Sequence, residues 1–113
     1  MAAWGRALPP ERRALHVVEY SWTKDRESAV RAAYPRHRAH VDTLEGLWLI
    51  GLLNTENETD EPLVTRAMAV FTDDRSAAEF AENDPLFREG LATVTAETGW
   101  NPLDYGSGKE RSL

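Results

Sequence analysis

Two short stretches carry the side chains best suited to chemistry. Arg36-His37-Arg38-Ala39-His40-Val41-Asp42-Thr43-Leu44 places two imidazoles three residues apart, and Asn83-Asp84-Pro85-Leu86-Phe87-Arg88-Glu89-Gly90-Leu91 places a carboxylate directly before a proline. Histidine is the side chain whose ordinary titration falls near neutral pH. A carboxylate that accepts from one imidazole nitrogen fixes the tautomer and raises the basicity of the other, so such a pair can move a proton without a cofactor. Plainer readings stand beside this one. Asp followed by Pro is a standard helix start, with the carboxylate capping and proline at the first position. The spacing of His37 and His40 is also compatible with a metal pair completed by Asp84, because nitrogen and carboxylate ligands suit zinc or iron. No second motif supports a metal, and none is expected. His16, in the middle of an extended run, reads as structural.

The elements that must position these residues follow from periodicity and punctuation. Leu15 to Trp22 is rich in β-branched and aromatic residues and reads as a strand. Its two faces are similarly apolar, which suits a strand covered on both sides. A helical stretch starts at about Asp25. Pro35 is expected to break it and to open a second helical segment running to about Glu45, since proline lacks an N–H and disfavours helix in the residue before it. His37, His40, Val41 and Leu44 then share one helix face. Gly46 is expected to end that helix as a left-handed cap.

Leu47 to Leu53 is a continuous apolar run and reads as a buried strand. Asn54 to Pro62 reads as a polar hairpin loop, and Leu63 to Phe71 as the next strand. Thr72-Asp73-Asp74 supplies turn and N-cap chemistry before a short helix over Ser76 to Asn83. Asp84-Pro85 opens a further helical turn that Gly90 stops, and Leu91 to Thr98 is the last strand. Residues 1–13, with Pro9-Pro10 and Arg12-Arg13, read as an N-terminal arm. Residues 104–113 read as a flexible tail, leaving a folded domain over 14–103.

The order β-α-β-β-α-β, with right-handed connections, gives an α+β, ferredoxin-like domain: a four-stranded antiparallel sheet with both helices on one face. The opposite face is apolar as well. A second copy packed sheet to sheet is the simplest cover, because two-fold dimers are the commonest assembly and an exposed apolar patch of that size is unusual. The expected partner is therefore a homodimer mate, with higher assembly left open.

Composition narrows the function classes. The 113 residues include no cysteine, so disulfides, thiolate metal sites and a cysteine nucleophile are excluded. The formal charge is −6, and an acidic chain is a poor nucleic-acid binder because phosphate repulsion opposes approach. Residues 1–40 carry eight Lys/Arg against four acids, which would favour a small anionic ligand or simply form a solvated face. No apolar run is long enough to span a bilayer, and Met1 to Glu11 lacks the apolar stretch of a signal peptide. A cytoplasmic protein without membrane contact is expected.

Taken together, the Asp84-Pro85-Leu86…Gly90-Leu91 pattern and a histidine, His40, one turn before the apolar Leu44 resemble motifs of the YCII-like family, over about residues 14–102. Strand two of that family commonly ends in a Gly-Pro pair, where this chain has Gly51-Leu52-Leu53, and the segment from Asp25 to Pro35 is longer than in compact members. The resemblance implies a dimeric α/β barrel with a His–Asp pair, carried over here as His40 and Asp84. It also implies cofactor-independent isomerisation, elimination or dehalogenation of small ring or lactone-type compounds. In that reading His40 is the general acid/base and Asp84 orients it, while His37, Tyr20 and Trp48 bind substrate. Glu19, Trp22, Tyr34 and Arg66 are further candidates for a pocket wall or for packing, and Trp100 for an interface. The competing reading is a non-catalytic dimeric module that binds a small ligand or serves a neighbouring enzyme.

Overall fold

The computed structural model describes residues 6–7, 14–53 and 64–104. The main sheet is built from β2 (Leu15–Thr23), β3 (Leu47–Leu52), β4 (Val64–Phe71) and β5 (Thr93–Trp100). A 3-10 turn, Lys24–Arg26, leads into α1 (Glu27–Val41); α2 (Asp74–Asn83) and the single turn α3 (Pro85–Arg88) fill the second crossover. The strands run in the order β3-β4-β2-β5 and every pairing is antiparallel. This is the α+β, ferredoxin-like arrangement. Two-residue strands β1 (Arg6–Ala7) and β6 (Leu103–Asp104) form a separate antiparallel pair. Most of the expected arm and tail, and all of the expected hairpin loop at Asn54 to Pro62, lie outside the described residues.

Alternation along the strands sorts the side chains into two layers. Val18 and Tyr20 of β2 and Ala67, Ala69 and Phe71 of β4 pack against the helices, with Val30, Ala33, Val41, Phe80 and Leu86. Leu15, Val17 and Val70 form a smaller cluster on the other face, joined by Trp48 and Met68. The two apolar faces of β2 expected from its sequence are thus both buried. Phe80 is the pivot of the helix-side core. It meets Tyr20, Phe71 and Phe87 at ring-centroid distances of 5.5, 5.4 and 5.1 Å, in tilted or edge-to-face arrangements.

Three sequence expectations need correction. Pro35 does not break the helix: α1 is continuous over 15 residues with Pro35 inside it. Pro35 lies on the exposed face, and on both sides of it the helix is held by buried residues, Val30, Ala33 and Val41 in the apolar core and His37 on Asp84. Tertiary packing outweighs the local cost of about 3 kcal/mol. Gly46 is not a left-handed cap, since Gly90, with φ 70°, is the glycine with positive φ among the described residues. Gly46 is required for space, because a Cβ there would stand 2.0 Å from Asp73 Oδ2. Its N–H donates to Ser76 Oγ at 3.0 Å, and its carbonyl accepts from Thr72 N at 2.7 Å. Finally, β3 is an edge strand rather than a buried one. Leu49, Ile50 and Leu52 remain 52%, 40% and 68% exposed in the single chain.

Candidate active site

Asp84 is the residue on which the site is assembled. It is the hinge between α2 and α3, with extended backbone (φ −61°, ψ 136°) that ends one helix and caps the next. Its carboxylate accepts from Leu86 N–H at 3.0 Å, while Pro85 at the first helical position has no N–H to satisfy. The side chain is fully buried. A buried carboxylate needs further donors, and α1 supplies them. His37 Nδ1 lies 3.0 and 2.9 Å from Oδ1 and Oδ2, and His40 Nδ1 lies 3.0 Å from Oδ1. Residues three apart share a helix face, which is why one carboxylate can meet both rings.

An ionised carboxylate only accepts, so both Nδ1 atoms donate to it. On His40 the second nitrogen, Nε2, lies 3.1 Å from Glu79 Oε2. Held between two carboxylates, this ring is suited to the imidazolium form. Burial opposes its charge, but the hydrogen bonds to Asp84 and Glu79, and their negative charges, outweigh burial and raise its pKa above the ordinary 6.5. Glu79 responds in the opposite sense: the hydrogen bond from His40, then one from Asn83, holds its carboxyl below the ordinary 4.5. Asn83 Nδ2 donates to Glu79 at 2.9 Å, and Arg88 donates to Asn83 Oδ1 at 3.1 Å.

His37 differs. Its Nε2 has no hydrogen bond among the described residues, yet it is not among their sealed, unpartnered polar atoms. His37 lines a cavity of about 760 Å³ between α1 and the β2–β3 side of the sheet, a size suited to a small organic molecule. Tyr20 and Trp22 of β2, Tyr34 and Val41 of α1, Ile50 and Leu52 of β3 and Leu86 supply further wall. The Tyr34 ring meets His37 edge-on at 5.6 Å. The Trp22 indole N–H is buried without an acceptor among the described residues. Burial, then the nearby charge of Asp84, then Tyr34 push the Tyr20 hydroxyl far above its ordinary pKa, so it stays protonated and can donate. At the rim two charge pairs along α1, Glu27–Arg31 at 3.2 Å and Arg38–Asp42 at 3.6 Å, balance each other. Apart from these charged residues, His37 and Thr65, the lining is aromatic and aliphatic. Among the described residues no cluster of three or more His, Cys, Asp or Glu is disposed to hold a metal ion.

The structure brings four of the five residues singled out from sequence into one neighbourhood. His37 and Tyr20 line the cavity, and Asp84 lies behind His37. His40 shares Asp84 but is not part of the cavity wall; its free side turns to Glu79. Trp48 is elsewhere, packed with Leu15, Val17 and Val70 on the helix-free face. It is the extra residue where the β3–β4 register shifts between Leu47 and Leu49. Of the further wall candidates, Trp22 and Tyr34 line the cavity, whereas Glu19 and Arg66 do not. Glu79 was missed by sequence reasoning. The only local signal was its place one turn before Asn83, and nothing in the sequence states that α2 lies against α1 there.

No protein-family model matches this sequence, and no curated protein does. Solved structures do resemble it. The 5-chloro-2-hydroxyhydroquinone dehydrochlorinase TftG from Burkholderia phenoliruptrix AC1100, solved as a complex with 2,5-dihydroxybenzoquinone, has TM-score 0.55 and 19% identity over 76% of this chain and 90% of its own. SnoaB, a cofactor-independent oxygenase from Streptomyces nogalater, has TM-score 0.53 and 14% identity over 80% of this chain and 93% of its own. MupZ from Pseudomonas fluorescens has TM-score 0.54 and 13% identity over 80% and 73%. At these identities the likeness establishes the ferredoxin-like fold. No helix among the described residues is long and apolar enough to cross a membrane.

Proposed function

We propose that the cavity is the active site of a cofactor-independent enzyme that moves protons on a small ring-shaped organic substrate, with His37 as the general base and Asp84 as its orienting partner. One observation carries this reading. His37 is the imidazole in the cavity wall, its Nδ1 is tied to a fully buried carboxylate at 2.9 Å, and its Nε2 has no hydrogen bond among the described residues. The acid–base role that the sequence suggested for His40 passes to His37, because the base must reach the proton it abstracts.

The chemistry balances without a cofactor. Nε2 of His37 takes a proton from an O–H or an acidic C–H of the substrate, and the imidazolium so formed is stabilised by Asp84. The electron pair left behind is delocalised onto a substrate oxygen, where the Tyr20 hydroxyl donates to the developing charge. Return of the proton to another atom gives isomerisation; departure of an anionic leaving group gives elimination, after which the His37 imidazolium releases its proton to the leaving group or to water. The aromatic walls suit a planar ring. The dehydrochlorination of a ring compound named for TftG, and the cofactor independence named for SnoaB, support this reading by analogy of fold. The Asp84-Pro85…Gly90-Leu91 pattern makes a YCII-like protein our narrower assignment.

We also infer a homodimer. Leu49 and Trp100 remain 52% and 45% exposed, and with Trp48 and Met68 they share the helix-free sheet face; a second copy would cover them. Light scattering at micromolar concentration tests this, and a stable monomer would overturn it. The catalytic reading is tested with His37→Gln, checked for native circular dichroism and assayed against a panel of hydroxylated quinones and lactones. Turnover is expected to fall by about 10²-fold or more while binding, followed by tryptophan fluorescence, changes little. Unchanged turnover in the folded variant would remove His37 from the mechanism. Tight binding by the unaltered protein with no turnover across the panel would favour the ligand-binding module.

A further inference from the structure

The acid–base reading uses His37 and Asp84 and leaves the other half of the cluster unexplained. A second imidazole sits on the same carboxylate, and a glutamate from a different helix closes on its far nitrogen. Two histidines on one buried carboxylate are in competition. If both were charged, two cations would share one buried anion; if only one is, the carboxylate compensates it fully. What decides between them is the environment of each outer nitrogen. His40 Nε2 has Glu79 at 3.1 Å, whereas His37 Nε2 has no protein acceptor among the described residues.

We propose that Glu79 is a positioning residue for the cavity base: by holding His40 as the imidazolium on Asp84, it commits the carboxylate's charge to the outer ring and leaves Nε2 of His37 unprotonated and ready to accept. The inference rests on His37 being the cavity base, but the arrangement it describes exists without substrate. Every charged or titratable neighbour on the packed elements is consistent with it. From α2 comes Glu79, oriented by Asn83, and from α3 comes Arg88, which holds Asn83 rather than either ring. On α1, Arg36 is engaged by Glu89 at 2.6 Å and Arg38 by Asp42 at 3.6 Å. Tyr34 and, from β2, Tyr20 present aromatic rings on the cavity side. No other carboxylate among the described residues bonds to the His37 ring. The asymmetry between the histidines therefore resides in Glu79.

The test is proton and nitrogen NMR of the imidazoles across pH 5–9 in the full chain, which has only three histidines to assign. The variants are Glu79→Gln, which is surface-lying and keeps a hydrogen-bonding side chain, and His40→Asn, which keeps an amide donor near Asp84. In Glu79→Gln the imidazolium-to-imidazole ratio of His40 at a fixed pH within its titration is expected to fall about two- to fivefold, as befits a partly exposed pair. The ratio for His37 should rise in the same sample, and should rise further in His40→Asn. Movement of His40 without any response at His37 would overturn the coupling through Asp84, and no movement of either ring would overturn the role of Glu79. With a substrate in hand, the acid limb of the Glu79→Gln rate profile should move to higher pH. An NMR response as expected without a change in that limb would refute His37 as the base while leaving the coupling intact.

Discussion

Replacing Asp84 separates a simple helix cap from the centre of a polar cluster, and the structure sets the scale. The carboxylate is fully buried and accepts from Leu86 N–H, His37 and His40. Asp84→Ala removes the cap, worth about 0.5–2 kcal/mol. It also strands the Nδ1–H of buried His37, worth about 1–3 kcal/mol. His40 keeps Glu79 and some access to water, so it adds less. The sum is about 2–5 kcal/mol, a large share of the roughly 5–15 kcal/mol that holds such a domain together. Asp84→Asn keeps the shape and an oxygen for Leu86 N–H but loses the charge shared by two imidazoles. It should cost about 1–2 kcal/mol, since one ring can change tautomer to accept from the new amide. Urea unfolding followed by circular dichroism reads both. The ordering expected is native, then Asn, then Ala, with thermal midpoints lower by about 5–10 °C and 10–25 °C. A loss of only about 1 kcal/mol in Ala, with none in Asn, would show that Asp84 is a cap and nothing more.

Phe80→Ala should cost about 3–5 kcal/mol by emptying the aromatic pivot, seen as a lower urea midpoint with circular dichroism of the native form retained in buffer. Pro35→Ala should stabilise the chain by about 1–3 kcal/mol, because α1 regains an interior N–H donor on its exposed face; a lower thermal midpoint would contradict the account of that helix. Gly46→Ala should destabilise although its φ is ordinary, because its Cβ would meet Asp73 and Ser76; combining it with Asp73→Ala should recover part of the loss, measured by a double-mutant cycle. The His40–Glu79 pair should contribute stability fully between about pH 4.5 and 6.5, the ordinary values of the two groups. His40, with its value raised on folding, loses its contribution as pH climbs through the folded value above 6.5; Glu79, with its value lowered, loses its own as pH falls through the folded value below 4.5. Denaturation of the native chain and Glu79→Gln at pH 5.5 and pH 9 should show a gap at the lower pH that narrows at the higher.

Local chemistry wrote much of this protein legibly. Alternating and continuous apolar runs marked the four main strands, and Asp73 and Asp84 announced their helix starts because capping depends only on the next few residues. The period of 3.6 put His37 and His40 on one helix face, and the order of elements implied the sheet, since right-handed crossovers leave few alternatives. Periodicity places residues on a face but not across from anything. Whether His37 or His40 meets the cavity depends on how α1 is rotated against α2 and β3, and that is fixed by packing of Phe80, Val41 and Leu86 far apart in sequence. The same long-range packing keeps α1 whole through Pro35, sends Trp48 to the opposite sheet face at a register shift, and brings Glu79 to His40. A sequence specifies what each side chain can do; which neighbours it does it with is decided by contacts that exist only once the distant segments have closed on one another.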